Sequence, residues 1–312
     1  MTHLKKPSKK LMSRHTHSIR RSRGDLLFKI LCVFFVALFA ALCLYPLLLV
    51  LGVSFSNETD VLKYGYALFP RRFSIDTYRY IFLQSGSRIT DSYGVTILTT
   101  AVGTVCSLLV TGMISFALSI KQLRYRKVIA FLCNFTIIFG AGLIPWYMVC
   151  TKLLGFNNSL KGLIMPSMFS VWYMFMLRTF FSDIPPSLYE SATLDGAGYF
   201  GTFWRIAMPL SKTGLLTIGL MYALNYWNNW WNALFFIDRK ELFPLQYLLY
   251  NVLSNANAIK GGRIPAGVGN IKVPAETVKM SLTIITIGPI VFLYPFVQKY
   301  FVSGIMSGAV KE

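Results

Sequence analysis

The sequence predicts an all-α polytopic membrane protein with six transmembrane helices. Apolar residues make up 54% of the 312 residues and the mean hydropathy is +0.53, yet the formal net charge is +19. A soluble domain could not bury so much apolar surface in one core. The charges lie between long uncharged runs, and an apolar helix of about 20 residues crosses the roughly 30 Å hydrocarbon layer of a bilayer.

Six uncharged runs mark the expected spans in chain order. The fourth, between Lys161 and Arg178, is short and contains Pro166, so we expect it to borrow residues 179–181 while Arg178 reaches the interface. The span domain then covers residues 26–304, between a basic tail at 1–25 and a short tail at 305–312. The other five runs lie between Lys29 and Glu58, Asp91 and Lys121, Lys127 and Lys152, Lys212 and Asp238, and Lys279 and Lys299.

Basic residues orient these spans. Eight of the 31 Lys and Arg residues precede Gly24, and four more lie in the short loop 121–127. The positive-inside rule therefore predicts a multi-pass membrane protein with both termini cytoplasmic. The first run is too long for a cleaved signal peptide. The external loop between Asp238 and Lys279 contains several glycines, which predicts an irregular connection.

The sequence offers little for catalysis, metal binding or nucleic-acid binding. All five Cys lie inside apolar runs, and all three His lie in the basic N-terminal tail. Lys and Arg do not interleave with aromatic residues, which excludes a nucleic-acid partner. No phosphate-binding glycine loop is present, and no charge lies in the middle of a clear span. We expect neither catalytic nor metal-ligating residues.

Residues 183–211 form a short polar segment between two apolar runs. Pro185 and Pro186 stop the preceding span, and Ser187 with Glu190 fits a capping box that starts a helix over 188–194. Gly196 and Gly198 suit the C-terminal turn of that helix. A second helix over 200–206 is expected to end before Pro209. By itself, this pattern also fits an interfacial helix that merely joins two spans.

The residues Glu190-Ser191-Ala192, Gly196, Ile206 and Met208-Pro209 have a distinctive spacing. The segment resembles the cytoplasmic coupling loop of ABC importer permeases, whose signature is Glu-Ala-Ala, three residues, Gly, nine residues and Ile-x-Leu-Pro. Ser191 and Met208 depart from that pattern. The resemblance implies a type I ABC importer permease fold. It also implies docking to a separate ATPase through Glu190, Ser191, Ala192, Asp195, Gly196, Ala197, Gly198, Ile206 and Pro209.

The likeness extends from about Tyr93 to the C-terminus and carries the passages MFMLRTFFSDIPPSLYESATLDGAG, IAMPLSKTGLL and YWNNWWNALFFID. In these the chain resembles carbohydrate-uptake permeases of the maltose type. That resemblance implies no cofactor in this chain, because ATP and Mg belong to the ABC ATPase subunits. It further implies a location in the bacterial cell membrane, with a homologous second permease subunit and an extracytoplasmic solute-binding protein as partners. In the tail, Ser307, Gly308 and Lys311 are weaker candidates for ATPase contact.

A polar and aromatic cluster interrupts the fifth uncharged run. Aromatic rings stack on the C–H faces of sugars and amides read their hydroxyls, so the cluster is a candidate substrate pathway. At helical spacing, Tyr226, Asn229 and Trp230 would share one face. An interfacial aromatic belt is the alternative. The candidate residues are Asn225, Tyr226, Asn228, Asn229, Trp230, Trp231 and Asn232.

Together these features predict the permease subunit of an ATP-driven importer, forming half of the pathway for a sugar or oligosaccharide. An importer of another solute, such as a glycerophosphodiester or peptide, is the alternative in the same class. A secondary carrier would need ionisable or broken-helix sites at mid-membrane, and only the Pro145 and Pro166 regions suggest breaks. A membrane enzyme would need paired catalytic residues at the ends of spans, whereas the three His residues all lie in the N-terminal tail.

Overall fold

A computed structural model describes residues 23–260 and 276–292. Most of the predicted N-terminal tail, the glycine-rich part of the fifth loop and the C-terminal tail with Ser307, Gly308 and Lys311 lie outside the described residues. The described chain is mostly helical and holds no strand, only an isolated bridge between Ser56 and Phe73.

Fourteen helices follow one another along the described chain, with wide π turns after the fifth and ninth (Val149–Leu153 and Phe203–Ala207) and 3-10 turns at Met165–Ser167 and Lys240–Leu242. The helices are α1 Arg23–Ser54, α2 Glu58–Tyr64, α3 Asp76–Ser119, α4 Arg126–Ile138, α5 Leu143–Met148, α6 Leu160–Ile164, α7 Val171–Ser182, α8 Pro186–Leu194, α9 Tyr199–Thr202, α10 Met208–Leu210, α11 Lys212–Trp227, α12 Trp231–Phe236, α13 Leu245–Lys260 and α14 at residues 276–292.

Two helices of the described chain are long and apolar enough to cross a membrane unaided, over Gly24–Ser54 and Arg88–Ser119. Three further helix pairs qualify only if each is counted as one bent span, which gives up to five. The sixth expected run continues past residue 292, so its end lies outside the described residues. The count of six stays a prediction.

Two of the bent pairs lie in the Pro145 and Pro166 regions, where the sequence suggested breaks. The third run breaks after α4, where Gly142 has φ +83°, and the two halves meet at 113°. In the fourth run, α6 and its 3-10 turn meet α7 at 56°. Helix α7 extends to Ser182, which confirms that residues 179–181 lengthen this run. An uncharged run fits a straight or a bent helix equally well, so hydropathy does not reveal these breaks.

The chain divides into two compact units at Leu49. In the first unit, the described side chains of residues 24–48 on α1 are exposed, and most are large and apolar. A helix that is apolar on all sides belongs in an apolar medium. This part of α1 therefore has the surface of a lipid-facing span.

The second unit centres on α3, α7 and α11. Leu177, Phe181 and Ile218 are fully buried at the centre of this core. Hydroxyl pairs join α3 to α11, with Thr111 Oγ1 2.7 Å from the Tyr222 hydroxyl and Ser107 Oγ 2.9 Å from the Tyr226 hydroxyl. In an apolar core each pair satisfies two groups that would otherwise be costly to bury.

Helix α13 corrects the prediction of an irregular connection after Asp238. Its first residue, Leu245, is 1% exposed, and its N–H donates to Thr96 Oγ1 on α3 at 2.9 Å. The apolar face of α13 packs against Ile81, Val278 and Leu282. Packing on α3 and α14 therefore makes this part of the loop helical, while its glycines lie outside the described residues.

A polar network joins α2 to the first turn of α14. The Glu58 carboxylate accepts hydrogen bonds from the N–H groups of Glu276 (3.1 Å) and Thr277 (2.9 Å), which caps α14. The Tyr66 hydroxyl donates to Glu276 at 2.6 Å, and this bond, with burial and the nearby charges, raises the pKa of Tyr66 to about 12. These contacts connect segments more than 200 residues apart in sequence.

We predict that Gly103→Ala destabilises the protein while Gly94→Ala does not. A Cβ at Gly103 would lie 2.7 Å from the buried ring of Tyr226, whereas a Cβ at Gly94 meets nothing within 4 Å. Overpacking of this kind costs about 1–3 kcal/mol, and an unhindered Gly→Ala change in a helix gains up to about 1 kcal/mol. The thermal midpoint in detergent should fall for the first variant only. Equal midpoints would contradict the close packing of α3 on α11.

Candidate functional site

Helix α8 ends in a glycine turn that presents the acidic part of the predicted coupling loop. Gly196 has φ +77°, a conformation that favours glycine. Its N–H donates to Thr193 O at 3.1 Å, and the Ala197 N–H donates to Ala192 O at 2.9 Å. This pair of bonds is a Schellman motif. The expected role of Gly196 at the C-terminal turn is confirmed. Gly198 is instead extended and precedes α9.

The expected capping box does not form. Pro185 is the N-cap residue and Pro186 occupies the first turn, so Ser187 lies inside α8 and its carbonyl accepts from Ser191 Oγ at 2.9 Å. A proline at the first helical position needs no N–H partner and has the helical φ already. The two prolines therefore start the helix earlier than Ser187 would.

The second helix also differs from the prediction, because it does not end before Pro209. The π turn Phe203–Ala207 follows α9 and leads into α10, which contains Pro209. In the wide turn the Met208 N–H reaches back to Phe203 O, and this shift in hydrogen bonding accommodates the missing N–H of Pro209. The whole segment Tyr199–Leu210 then meets α11 at an angle of 85°.

One face of this segment is exposed and mixes acidic with apolar groups. Glu190, Ser191 and Asp195 are exposed, and Leu194 is 88% exposed next to them. Tyr199 and Phe200 follow, each 71% exposed. We call this set of six residues the outer face. Large apolar side chains this open to solvent are typical of a surface that binds a partner.

The other predicted docking residues lie outside the outer face. Ala192 is 6% exposed and points into the protein, so it supports α8 rather than offering a contact. Ala197 and Ile206 are half-buried, and Gly198 and Pro209 are exposed.

An aromatic cluster behind the outer face connects α8 and α9 to the spans. The Phe116 ring on α3 lies 6.0 Å from the Tyr189 ring and 5.4 Å from the Phe203 ring, measured between centroids. Phe181 at the end of α7 completes the cluster, 6.3 Å from Phe203. We call these four residues the aromatic joint. Sequence reasoning missed Tyr189 and Phe203, although Tyr189 lies three residues before the buried Ala192 and so shares its helical face.

The aromatic joint also contains a polar contact. The Tyr189 hydroxyl donates to Phe181 O at 3.2 Å, at the end of α7. Burial raises the pKa of Tyr189 to about 12, so the hydroxyl remains a donor at neutral and also at moderately alkaline pH. The contact thereby ties α8 to a carbonyl near the C-terminus of α7, where such groups lack helical partners.

The second candidate site, in the fifth run, is split by a helix break. Helix α11 ends at Trp227, so the helical register expected for Tyr226, Asn229 and Trp230 is wrong. Asn229 and Asn232 donate to Leu163 O, at 3.0 and 3.4 Å, and Tyr226 donates to Ile164 O at 2.9 Å. These three side chains therefore satisfy carbonyls at the break after α6.

Other members of this cluster are open to solvent or lipid. Asn225 and Asn228 are exposed and Trp231 is 46% exposed. The Trp230 ring stacks on Tyr250 of α13, with centroids 4.8 Å apart. Gln246 donates to Asn228 Oδ1 at 3.0 Å. Sequence reasoning did not include Gln246 or Tyr250, because both lie in the loop expected to be irregular.

Comparison with sequence models of known families gives no match, but individual relatives are clear. The chain is 35% identical over 285 residues to the polygalacturonan/rhamnogalacturonan transport system permease protein YtcP of Bacillus subtilis, covering 91% of this chain and 98% of the relative. The chain belongs to the sugar ABC transporter permeases.

Two further relatives agree with this membership. The permease is 24% identical to the trehalose/maltose transport system permease protein MalG of Thermococcus litoralis, over 93% of this chain and 99% of the relative. It superimposes with a TM-score of 0.77 and 29% identity on a chain from the crystal structure of a bacterial ABC transporter involved in the import of the acidic polysaccharide alginate. That match covers 90% of the permease and 98% of the other chain. The prediction of a sugar ABC permease is confirmed.

For this permease we predict that Gly196→Ala loosens the turn after α8. An alanine at φ +77° is strained by about 1 kcal/mol, although its Cβ would meet no atom within 4 Å. The matched change Gly201→Ala adds the same methyl group in α9, where nothing lies within 4 Å either, and should be neutral. Amide hydrogen exchange around residues 194–199 should speed up in the first variant alone. Unchanged exchange there would contradict the glycine turn.

Proposed function

We propose that this permease forms half of a translocation pathway through which an oligosaccharide, delivered by an extracytoplasmic binding protein, enters the cell. Separate ATPase subunits, which bind ATP and Mg, supply the energy, and a homologous second permease supplies the other half. In this proposal the chain has six spans and cytoplasmic termini. The observation that carries it is the outer face of α8 and α9, which the aromatic joint backs directly onto α3.

The outer face suits an ATPase as docking partner. Its two carboxylates, Glu190 and Asp195, flank the apolar Leu194, and Phe200 and Tyr199 extend the apolar area. A groove with an apolar floor and a cationic rim would complement this surface. Glu190 then pairs with a cation of the ATPase.

The aromatic joint would carry the motion of the ATPase into the membrane. Close-packed rings transmit displacement because protein interiors are dense and resist compression. A shift of α8 presses Tyr189 against Phe116, which lies near the end of the long helix α3. Because Phe203 contacts the same Phe116 ring, both helices of the loop act on α3 together.

The names of the relatives favour an acidic oligosaccharide as the substrate. Polygalacturonan and rhamnogalacturonan contain uronic acids, and alginate is an acidic polysaccharide. The exposed amide of Asn228, the half-buried amide of Gln246 bonded to it and the exposed ring of Trp231 offer polar groups and an aromatic face for such a ligand. A thermal-shift screen of the cognate binding protein against oligouronides and neutral oligosaccharides tests the substrate class. A glycerophosphodiester or peptide as the ligand would favour the alternative importer.

We predict that Glu190→Lys abolishes coupling without preventing membrane insertion. Reversing the charge of a desolvated ion pair should lower uptake and substrate-stimulated ATP hydrolysis by about tenfold or more. Both are measured in the reconstituted complex. Glu241→Lys reverses another exposed carboxylate, in the loop after α12, and serves as the matched control. Wild-type transport by Glu190→Lys would remove the outer face from the mechanism.

Copurification of tagged chain without any ATPase would favour a secondary carrier.

We further predict that Asn228→Ala and Asn232→Ala have different effects. Asn228 is exposed, and its amide forms only solvent-exposed bonds, to Leu224 O and with Gln246, so its loss should raise the substrate concentration for half-maximal uptake and lower the thermal midpoint only slightly. Asn232 is 4% exposed and donates to Ser167 Oγ at 2.9 Å, so its loss should destabilise the protein by about 1–3 kcal/mol. Thermal unfolding and uptake kinetics separate the two. Loss of stability in both variants would assign the whole cluster to packing.

A further inference from the structure

A cavity of about 710 Å³ opens between the start of α4 and the end of α7. Its volume falls in the range of roughly 300–1,000 Å³ that is typical of small-molecule sites. Arg126 on α4 and Arg178 on α7 are half-buried in its wall, and three more cations lie exposed around it. The five cationic side chains, which we call the basic pocket, are Lys121, Arg124, Arg126, Lys127 and Arg178.

The basic pocket lacks a counter-charge within the described part of the chain. None of the described residues that line it is acidic, and none of its five cations forms an ion pair with a described carboxylate. Arg178 only lies over the ring of Phe175, 5.9 Å from the centroid. Like charges gathered around one cavity repel one another, and two of them are partly desolvated. An anion in the cavity would relieve both effects.

The surroundings of the pocket indicate the kind of anion. Helix α4 has no buried residue, and beyond its first turn it exposes Phe131, Leu132 and Phe135, each at 45% or more. The cations therefore stand at one end of a helix whose side is apolar and open. A phospholipid at the edge of a bilayer has the matching arrangement, with a phosphate that would lie among the cations and acyl chains that would lie along the apolar side of the helix.

We propose that the basic pocket binds the phosphate headgroup of an anionic phospholipid, with the acyl chains along α4. The two arginines bind the phosphodiester through charge-assisted hydrogen bonds, and the exposed Lys121, Arg124 and Lys127 attract the negatively charged leaflet. The outer face is a separate surface, because none of its six residues lines the cavity.

Native mass spectrometry of the delipidated full chain in a neutral detergent tests this proposal. The probes are dioleoyl phosphatidylglycerol and dioleoyl phosphatidylcholine, added at equal concentration. Phosphatidylglycerol should bind in excess. Arg126→Gln/Arg178→Gln should reduce this binding about a hundredfold, because the phosphodiester loses both charge-assisted hydrogen bonds. Lys152→Gln removes an exposed cation outside the pocket and should leave binding unchanged.

A second variant and two competitors make the outcome decisive. Should the double arginine variant fail to fold, Arg124→Gln/Lys127→Gln alters only exposed or rim side chains and should still weaken phosphatidylglycerol binding severalfold. Equal binding of the two lipids, or equal loss in Lys152→Gln, would overturn the proposal. Displacement of the lipid by millimolar inorganic phosphate or glycerol 3-phosphate would assign the pocket to a soluble anion. Loss of ATPase association in the arginine variant, with lipid binding intact, would assign it to a protein contact.

Discussion

The structure depends on satisfying backbone groups wherever a helix breaks inside an apolar environment. An unpaired carbonyl in hydrocarbon costs several kcal/mol, so irregular backbone persists only where other side chains supply partners. At the break after α6, Asn229, Asn232 and Tyr226 supply them, through bonds to Leu163 O and Ile164 O. The amides that suggest sugar binding are therefore partly structural, and they fix the fifth run against the fourth.

The same constraint organises the helices on either side. Ser107 and Thr111 on α3 pair with the hydroxyls of Tyr226 and Tyr222 on α11, so these four buried groups are satisfied where the two helices pack. At the other end of α11, the π turn before Pro209 lets a helix continue through a residue that cannot donate. The bend that follows turns the loop segment away from the span, and the aromatic joint holds it there.

Much of this arrangement can be predicted from the sequence, and the limits have physical causes. Hydropathy locates the apolar runs, and the glycine spacing locates α8 and its left-handed turn at Gly196. Pro145 and Pro166 suggest the breaks, but the side chains that satisfy the break after α6 are hidden, because they lie 62 and 66 residues away and only the fold brings them together. The capping box did not form because Pro186, which has the helical φ already, starts the helix before Ser187 can cap it. Tyr189 and Phe203 were missed because the family resemblance directed attention to the polar side of the loop, whereas the aromatic side does the packing.

Helix α3 has 44 residues, about 66 Å at 1.5 Å per residue, and so is more than twice as long as the hydrocarbon layer is thick. Near its start the Thr77 hydroxyl bonds to Thr277, and near its end Phe116 belongs to the aromatic joint and contacts Tyr189. One continuous helix thus joins the contacts of α14 to the aromatic joint behind α8. Under the proposed function, a tilt begun at either end of α3 reaches the other end without an intervening hinge, so that opening on one side of the membrane and closure on the other become a single mechanical event.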